Sequence, residues 1–520
     1  MGTQIAFLDI RNRVLDERID ISRVKTWLST CSEHHSSCLP HHSTPEVEVP
    51  NFRVIDVPRR CIAAMPNAIR YVALSYVWGQ VDTYRLLKGN FKDLMKFDGL
   101  TRNWGKLPRT FRDVVLFTEA VGKRYLWIDT LCLIQDDDND KIPGIKHMDA
   151  IYSRAFCTIL SSRGEDANAG IPGWGIIRQR AQHVSEVLPE VSMILTESMS
   201  TYLTQTQYYE RAWTFQEYFL SSRRTIFVNS QAYYSCRKCY WREDDAERRV
   251  LINNVSVDES YLSVLNDLWM DDDIDTHELW TMMLYHYTKR KLTYESDIFN
   301  AVAGICRALS IRCKCGFFQG MPVAALDLYL LFSTVAAAER RCGFPSYSWT
   351  GWHGRIYFEQ ISVGNAVKNK TDWLSNQTWI VWYKYEPLTG EVSRIWDINQ
   401  NPGFLEATED EIGYRSRRLF IPKNKKTRLS CNTEITRPSL QQHVIDQAQY
   451  PSSLLQFWTV SVYFNFNFSK DRGSIDIFDR NGNCCGSACQ NAVLTDIHAD
   501  ESEPIELIIS SMIRVPEICL

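Results

Sequence analysis

The sequence has little excess charge of either sign and no uninterrupted long apolar run. It holds 58 lysine and arginine residues against 62 aspartate and glutamate residues, a formal net charge of −4. This balance produces no strong positive field, which argues against partners such as nucleic acid or an anionic membrane surface. Pro322 and Asp327 interrupt the apolar stretch 321–338, so we expect a buried helix there and no transmembrane span.

The N-terminal stretch lacks the apolar core of a secretory signal, because Asp9 and Arg11 interrupt it. We therefore expect a cytoplasmic protein. The 16 cysteines are then expected to be reduced and mostly buried thiols rather than a disulfide framework.

Sequence fingerprints of several enzyme classes are missing. The chain has no GxxxxGK[ST] phosphate loop, no GxGxxG fingerprint, no HExxH motif and no GxSxG nucleophile elbow. Nucleotide hydrolysis, Rossmann-type redox chemistry, zinc proteolysis and serine hydrolysis therefore lack their usual sequence support.

Apolar, β-branched runs alternate with amphipathic stretches between residues 70 and 228. The patterns predict strands over 70–76, 125–128, 156–160 and 223–228, and helices over 110–121, 148–154 and 210–220. Thr110 and Asp113 resemble a capping box at the start of the first of these helices. The alternation predicts an α/β domain with a doubly wound parallel sheet, in which ligands bind beyond the carboxyl ends of the strands.

Four blocks of the sequence follow one another in an order and spacing that chance does not readily produce. They are YVALSYVWGQ, LPRTFRDVVLFTEAVGKRYLWIDTLCLIQDD, MDAIYSRAFCTILSSRGED and ERAWTFQEYFLSSRRTIFV. Together they resemble the fungal heterokaryon-incompatibility (HET) domain family. WTMMLYHYTKRKLTYESDIFNAVAGI and PSYSWTGWHG resemble sequences that commonly follow that domain. One departure is the segment 141–144, KIPG, which stands where the family usually has a longer polar segment.

The resemblance and the patterns together predict four regions. Residues 1–50 are expected to form an N-terminal helical segment and residues 51–250 the HET domain, with a fold similar to Toll/interleukin-1 receptor (TIR) domains. Residues 251–350 are expected to form a helical region, and residues 351–520 a β-rich C-terminal region.

The resemblance also implies a function. HET proteins are implicated in fungal self/non-self recognition that ends in programmed cell death. Some TIR domains cleave NAD with a helix glutamate near a tryptophan, and Trp213 and Glu217 resemble that element by position. The resemblance makes Glu217 the candidate catalytic residue and NAD or a related nucleotide the candidate substrate, with no bound cofactor. The alternative is a non-catalytic module that binds a protein partner or self-associates.

The chemistry of the candidate site leaves several roles open. A carboxylate beside a ribose stabilises the oxocarbenium-like state formed as nicotinamide leaves. The alternative to catalysis is that Glu217 lies on a solvated face of its helix or forms an ion pair with Arg211 or Arg224. Asp129 suits either a ribose contact or a structural cap. The remaining candidates for ligand binding are Ser75, Trp78, Gly79, Arg211 and Trp213.

Two cysteine groups have spacings that are typical of metal ligands. One consists of Cys31, His35 and Cys38, and the other is the CxxC motif of Cys236 and Cys239. Because the two groups are far apart in the chain, we expect ordinary packed thiols and no metal site.

Overall fold

The computed structural model describes residues 13–38, 48–81, 83–178, 182–188, 191–195, 197–245, 265, 269, 276–313, 315–335, 338–358, 382–386, 391–395, 454–456, 461–469, 474–478, 484–489 and 505–508. Contacts divide the chain into two compact units. One is Met1–Ile274 with Arg290–Ala308, and the other is Asp275–Lys289 with Leu309–Leu520. The predicted region boundaries at residues 50, 250 and 350 stay predictions.

An eight-stranded sheet forms the centre of the first unit. The strands of this unit are β1 (Arg53–Asp56), β2 (Cys61–Ala64), β3 (Val72–Tyr76), β4 (Tyr125–Trp127), β5 (Cys157–Ser161), β6 (His183–Leu188), β7 (Val191–Leu195), β8 (Arg223–Val228), β9 (Gln231–Cys236) and β10 (Tyr240–Arg242). Strands β6 and β7 form a separate hairpin, and the other strands lie in the order β10-β9-β8-β5-β3-β4-β1-β2.

The four central strands are parallel, which confirms the prediction of an α/β fold with a mostly parallel central sheet. Strand β3 pairs in parallel with β4 and β5, and β5 pairs in parallel with β8. The edges differ from the prediction, because β1–β2 and β8–β9–β10 are antiparallel. Their connections are too short for a parallel crossover. Asn229 and Ser230 have φ of 48° and 59°, as a two-residue hairpin turn requires.

Helices connect the parallel strands. Those of the first unit are α1 (Ile21–His34), α2 (Phe91–Leu94), α3 (Arg109–Ala120), α4 (Asp129–Cys132), α5 (Asp138–Lys146), α6 (Met148–Arg154), α7 (Met199–Thr204), α8 (Gln207–Glu210) and α9 (Trp213–Leu220). Short 3₁₀ helices cover Ser36–Cys38, Thr101–Lys106 and Glu295–Asp297. Helices α6 and α9 pack on each other. Right-handed crossovers place these two helices on one face of the sheet and α3 on the other.

Helix α3 begins without the predicted capping box. The helix starts at Arg109, and no side chain caps it. Instead, the Thr110 hydroxyl accepts a hydrogen bond from the Gly170 N–H at 3.0 Å, and the Asp113 carboxylate accepts one from the Ile171 N–H at 2.9 Å. Both side chains therefore hold a distant loop, which the local pattern does not reveal.

The later part of the chain contains helices α10 (Thr276–Tyr287), α11 (Asn300–Arg312) and α12 (Leu326–Tyr329), with 3₁₀ helices at Val323–Ala325 and Trp349–Gly351. The predicted helix over 321–338 is wrong, because Met321–Pro322 is a strand and the α-helix is limited to one turn. Among the described residues, no helix has both the length and the apolar character needed to cross a membrane.

Short strands complete the described structure. They are β11 (Phe317–Phe318), β12 (Met321–Pro322), β13 (Ser333–Thr334), β14 (Ile356–Tyr357), β15 (Tyr383–Glu386), β16 (Glu391–Arg394), β17 (Leu454–Gln456), β18 (Ser461–Ser469), β19 (Ser474–Phe478), β20 (Cys484–Cys489) and β21 (Ile505–Ile508). Most of residues 351–520 lie outside the described residues, so the β-rich C-terminal region stays a prediction. The likeness to TIR domains also stays a prediction.

Candidate functional site

The strongest candidate site lies at the carboxyl ends of the central strands. Ser75 is near the end of β3, Asp129 begins α4 directly after β4, and Glu217 is on α9. Arg211 lies between α8 and α9. Parallel strands end at one edge of the sheet, and ligands of doubly wound sheets bind at that edge. We call Ser75, Asp129, Tyr208, Arg211 and Glu217 the Glu217 cluster.

The carboxylate of Glu217 is buried and hydrogen-bonded. The residue is 7% exposed, so the alternative of a solvated helix face is wrong. The Ser75 hydroxyl donates a hydrogen bond to Glu217 Oε2 and lies 2.6 Å from the Tyr208 hydroxyl. Burial raises the pKa of Glu217 to about 7, while the Ser75 hydrogen bond and the positive charge of Arg211 oppose this rise. Glu217 therefore changes its charge near neutral pH.

Asp129 is held by donors on both of its carboxylate oxygens. Oδ1 accepts hydrogen bonds from the Tyr76 hydroxyl at 3.0 Å and from the Thr130 N–H at 2.7 Å, and Oδ2 accepts one from Trp78 Nε1 at 2.8 Å. Burial raises the pKa of Asp129, and these hydrogen bonds oppose the rise. The negative charge of Asp129 contributes to the raised pKa of Glu217. The two acids therefore share one electrostatic environment.

Arg211 supplies the positive charge of the cluster. Its Nη1 donates a hydrogen bond to the Tyr76 carbonyl oxygen at 2.6 Å. The charge of the guanidinium opposes the rise in the pKa of both Asp129 and Glu217 that burial causes. An anionic group of a ligand, such as a phosphate, would meet a fixed guanidinium at this position.

Two of the predicted ligand-binding residues have other contacts. Gly79 has a φ of +71°, and a Cβ on it would lie 2.2 Å from Asp166 Cβ, so the glycine accommodates the protein's own loop. Trp213 Nε1 donates to Asp297 Oδ2 at 3.3 Å rather than joining the Glu217 cluster. The alternative in which Glu217 pairs with Arg224 is not formed; Arg224 donates to the Tyr218 carbonyl and to Ser235 Oγ.

Sequence reasoning missed the hydroxyl groups around the two acids. Neither Tyr76 nor Tyr208 is among the predicted site residues, yet their hydroxyls bond to Asp129 and to Ser75. Tyr152 also contacts Glu217 and donates to the Leu74 carbonyl at 3.0 Å. Tyr76 and Tyr152 lie in blocks that contain neither acid, and Tyr208 lies just before the block that contains Glu217, so no local pattern linked these tyrosines to the acids.

The two cysteine groups come together in the same unit. Donor atoms of Cys31, His35, Cys38 and Cys236 all lie within 4.8 Å of one another, and all four residues are buried. The expectation of no metal site depended on the long separation of the two groups along the chain, but the fold brings them together.

Comparison with known protein families finds a match that spans strands β3, β4 and β5 and the Glu217 cluster. Residues 71–217 match the family described as Heterokaryon incompatibility protein (HET). The chain contains a HET domain. The match begins just before β3 and ends at Glu217, so all members of the Glu217 cluster lie within the HET domain. Searches of curated proteins and of solved structures find no match to the chain.

Proposed function

We propose that this HET protein is an effector of fungal self/non-self recognition and cell death that cleaves NAD or a related nucleotide. The observation that supports the proposal is the Glu217 carboxyl at the ends of the parallel strands, with a pKa raised to about 7 and Arg211 close enough to influence it. Buried carboxyls with perturbed pKa values are concentrated at catalytic sites.

The proposed reaction breaks the bond between ribose C1′ and the nicotinamide nitrogen. The bonding electrons leave with nicotinamide, and water then supplies the oxygen to C1′ and releases a proton. The Glu217 carboxylate stabilises the positive charge that develops on the ribose, and Arg211 binds the pyrophosphate. Because Glu217 is 7% exposed, a substrate reaches its carboxylate only after the side chains that cover it rearrange.

The first experiment measures nicotinamide release by concentrated full-length protein incubated with NAD. Glu217→Gln keeps the shape of the side chain and removes its charge, so we expect release to fall about 100-fold or more. Glu210→Gln is the matched control, because Glu210 is exposed and pairs with Lys291 Nζ at 2.8 Å. Activity that is equal in wild type and Glu217→Gln would refute the assigned role of Glu217.

The second candidate function is a non-catalytic interaction module. The burial of Glu217 favours it, since its carboxylate already has protein partners. The first unit also has a groove of about 560 Å³. Its lining residues belong to β1 and β2 or lie next to them, such as Phe52, Arg53 and Met65, and do not include the Glu217 cluster. Folded, self-associated wild type that releases no nicotinamide would support this module, and light scattering would measure the association.

A further inference from the structure

The last turn of α1 and the 3₁₀ turn that follows it carry three potential metal ligands, which are Cys31, His35 and Cys38. Cys31 lies in the last turn of the helix, and the His35 N–H donates to the Cys31 carbonyl at 3.1 Å. The Cys38 N–H donates to the His35 carbonyl at 3.0 Å, which closes the following 3₁₀ turn. These two hydrogen bonds hold the three side chains on one side of the chain.

Two further potential ligands, Cys236 and Cys239, lie at the turn between β9 and β10. Strand β9 ends at Cys236, and the Cys236 N–H donates to the Cys239 carbonyl at 2.9 Å. The Lys238 N–H donates to Cys236 Sγ at 3.4 Å. A backbone donor aimed at a sulfur stabilises the thiolate form, which is the form that binds metal.

The distances fit a tetrahedral ion. Zn–S bonds of about 2.3 Å and Zn–N bonds of about 2.0–2.1 Å imply donor separations of roughly 3.5–3.8 Å. His35 Nδ1 lies 3.5 Å from Cys236 Sγ, and the four donor atoms lie within 4.8 Å of one another. Small side-chain adjustments are therefore enough to place all four around one ion.

The surroundings also suit a metal. His35 is 6% exposed, and its Nδ1 lies 3.5 Å from Cys236 Sγ and 3.7 Å from Cys239 Sγ. Buried thiols around an imidazole nitrogen are a donor set that suits zinc. Arg223, itself buried, donates from Nε to Cys31 Sγ at 3.2 Å. Its positive charge offsets the net negative charge of three thiolates around Zn²⁺.

We propose that Cys31, His35, Cys38 and Cys236 bind a structural Zn²⁺ ion that attaches α1 to the β9–β10 end of the eight-stranded sheet. Thiolate and imidazole donors favour zinc, and four protein ligands leave no open position for catalysis. Cys239 Sγ is 3.2 Å from Cys236 Sγ but lies outside the set of four. The site is separate from the Glu217 cluster and does not depend on the proposed NAD cleavage.

The test is the metal content of the folded, full-length protein. Wild type purified from zinc-supplemented cells is expected to carry one zinc per chain by elemental mass spectrometry. Cys31→Ser and Cys236→Ser are expected to lose it. Cys61→Ser is the matched control, because Cys61 is an equally buried free thiol in β2, and it is expected to keep its zinc. Wild type without zinc, or Cys236→Ser with full zinc, would overturn the proposal.

Cobalt provides a readout that does not depend on the stability of the variants. Wild type whose zinc has been exchanged for Co²⁺ is expected to show thiolate charge-transfer bands and the strong visible bands of a tetrahedral site. A spectrum of octahedral Co²⁺ would contradict the proposal. So would a Cys236–Cys239 disulfide, found by mass spectrometry after alkylation without reduction, in freshly purified protein.

Five side chains lie close enough to be considered as ligands: Cys31, His35, Cys38, Cys236 and Cys239. Two variants test which four of them bind the ion. Cys239→Ser is expected to keep zinc and Cys38→Ser to lose it, both measured in the monomeric fraction from size-exclusion chromatography. The opposite pattern would overturn the assignment of Cys38 as a ligand.

Discussion

At the scale of single residues, Glu217 has an unusual environment for a carboxyl group. The carboxyl is removed from water, is close to the negative charge of Asp129, and is only partly compensated by Ser75 and Arg211. Each pKa unit corresponds to about 1.4 kcal/mol of difference between the two protonation states. The raised pKa of Glu217 therefore makes the free energy of unfolding depend on pH.

We predict that Glu217 makes the protein less stable as pH rises. Its pKa is about 7 in the folded protein against 4.5 for the ordinary side chain, so the folded state binds the proton more tightly. The favourable contribution is complete below pH 4.5 and is lost as pH rises through about 7. Glu217→Gln is expected to be more stable than wild type above that pH, by roughly 3 kcal/mol or less.

Urea denaturation of wild type and Glu217→Gln at acidic and alkaline pH measures this difference. The exposed-site variant Glu210→Gln should follow the wild-type pH dependence. Identical pH dependence in wild type and Glu217→Gln would mean that the pKa of Glu217 is not raised. If NAD cleavage needs the carboxylate, its rate should rise through about pH 7, in the direction opposite to stability.

At the scale of elements, a buried ion pair joins the N-terminal segment to the edge of the sheet. Arg178 Nη1 and Nη2 contact Glu243 Oε2 and Oε1 at 2.8 and 2.7 Å. Arg178 also donates to the Arg18 carbonyl at 2.7 Å, and Glu243 accepts from the Ala232 N–H at 3.0 Å. The pair thus connects the chain before α1 with strand β9 and the segment after β10.

We predict that Arg178→Met destabilises the first unit by about 3–5 kcal/mol, because it leaves the Glu243 charge buried without a partner. The side chains of the pair are 3% and 0% exposed, so water cannot replace the arginine. The double variant Arg178→Met with Glu243→Leu is expected to recover much of the loss. Thermal and urea unfolding measure both effects.

The control for this prediction is an exposed pair. Lys96 Nζ contacts Asp93 Oδ1 at 2.7 Å, but the two side chains are 66% and 67% exposed, so Lys96→Met is expected to change stability little. If the double variant were as unstable as Arg178→Met, the loss would come from packing rather than from the unpaired charge.

At the scale of the whole molecule, the folded unit extends beyond the matched HET segment. The match ends at Glu217, before β8, β9 and β10. Strand β8 is the parallel neighbour of β5, and β1 is the neighbour of β4. A fragment limited to 71–217 would therefore expose both edges of a three-stranded parallel sheet.

We predict that the fragment 71–217 does not fold cooperatively on its own. Parallel strands that are apolar on both faces need covered edges, and exposed edges favour aggregation. Amide NMR dispersion and thermal unfolding, compared with the full-length chain, measure the outcome. A soluble fragment with a cooperative transition would show that β1 and β8 are dispensable for the HET core.

Much of the secondary structure was determined by the sequence alone, because apolar periodicity is a property of consecutive residues. Strand β8 and helix α6 span the predicted residues 223–228 and 148–154. Asp129 could also be located in advance, since it follows a strand that was predicted to be parallel, whereas Glu217 was chosen from the resemblance to TIR domains. The HET match confirms the predicted family, and the central sheet confirms the predicted parallel strands.

Only the tertiary structure decided what these side chains contact. Thr110 and Asp113 bind a loop near residue 170 instead of capping their own helix, and Glu217 points inward to Ser75. Cys31 and Cys236 meet because α1 packs on β9. Each of these pairings joins residues that are distant in the chain, and a local pattern carries information only about near neighbours. The partners, and therefore the chemistry, depend on how the elements pack.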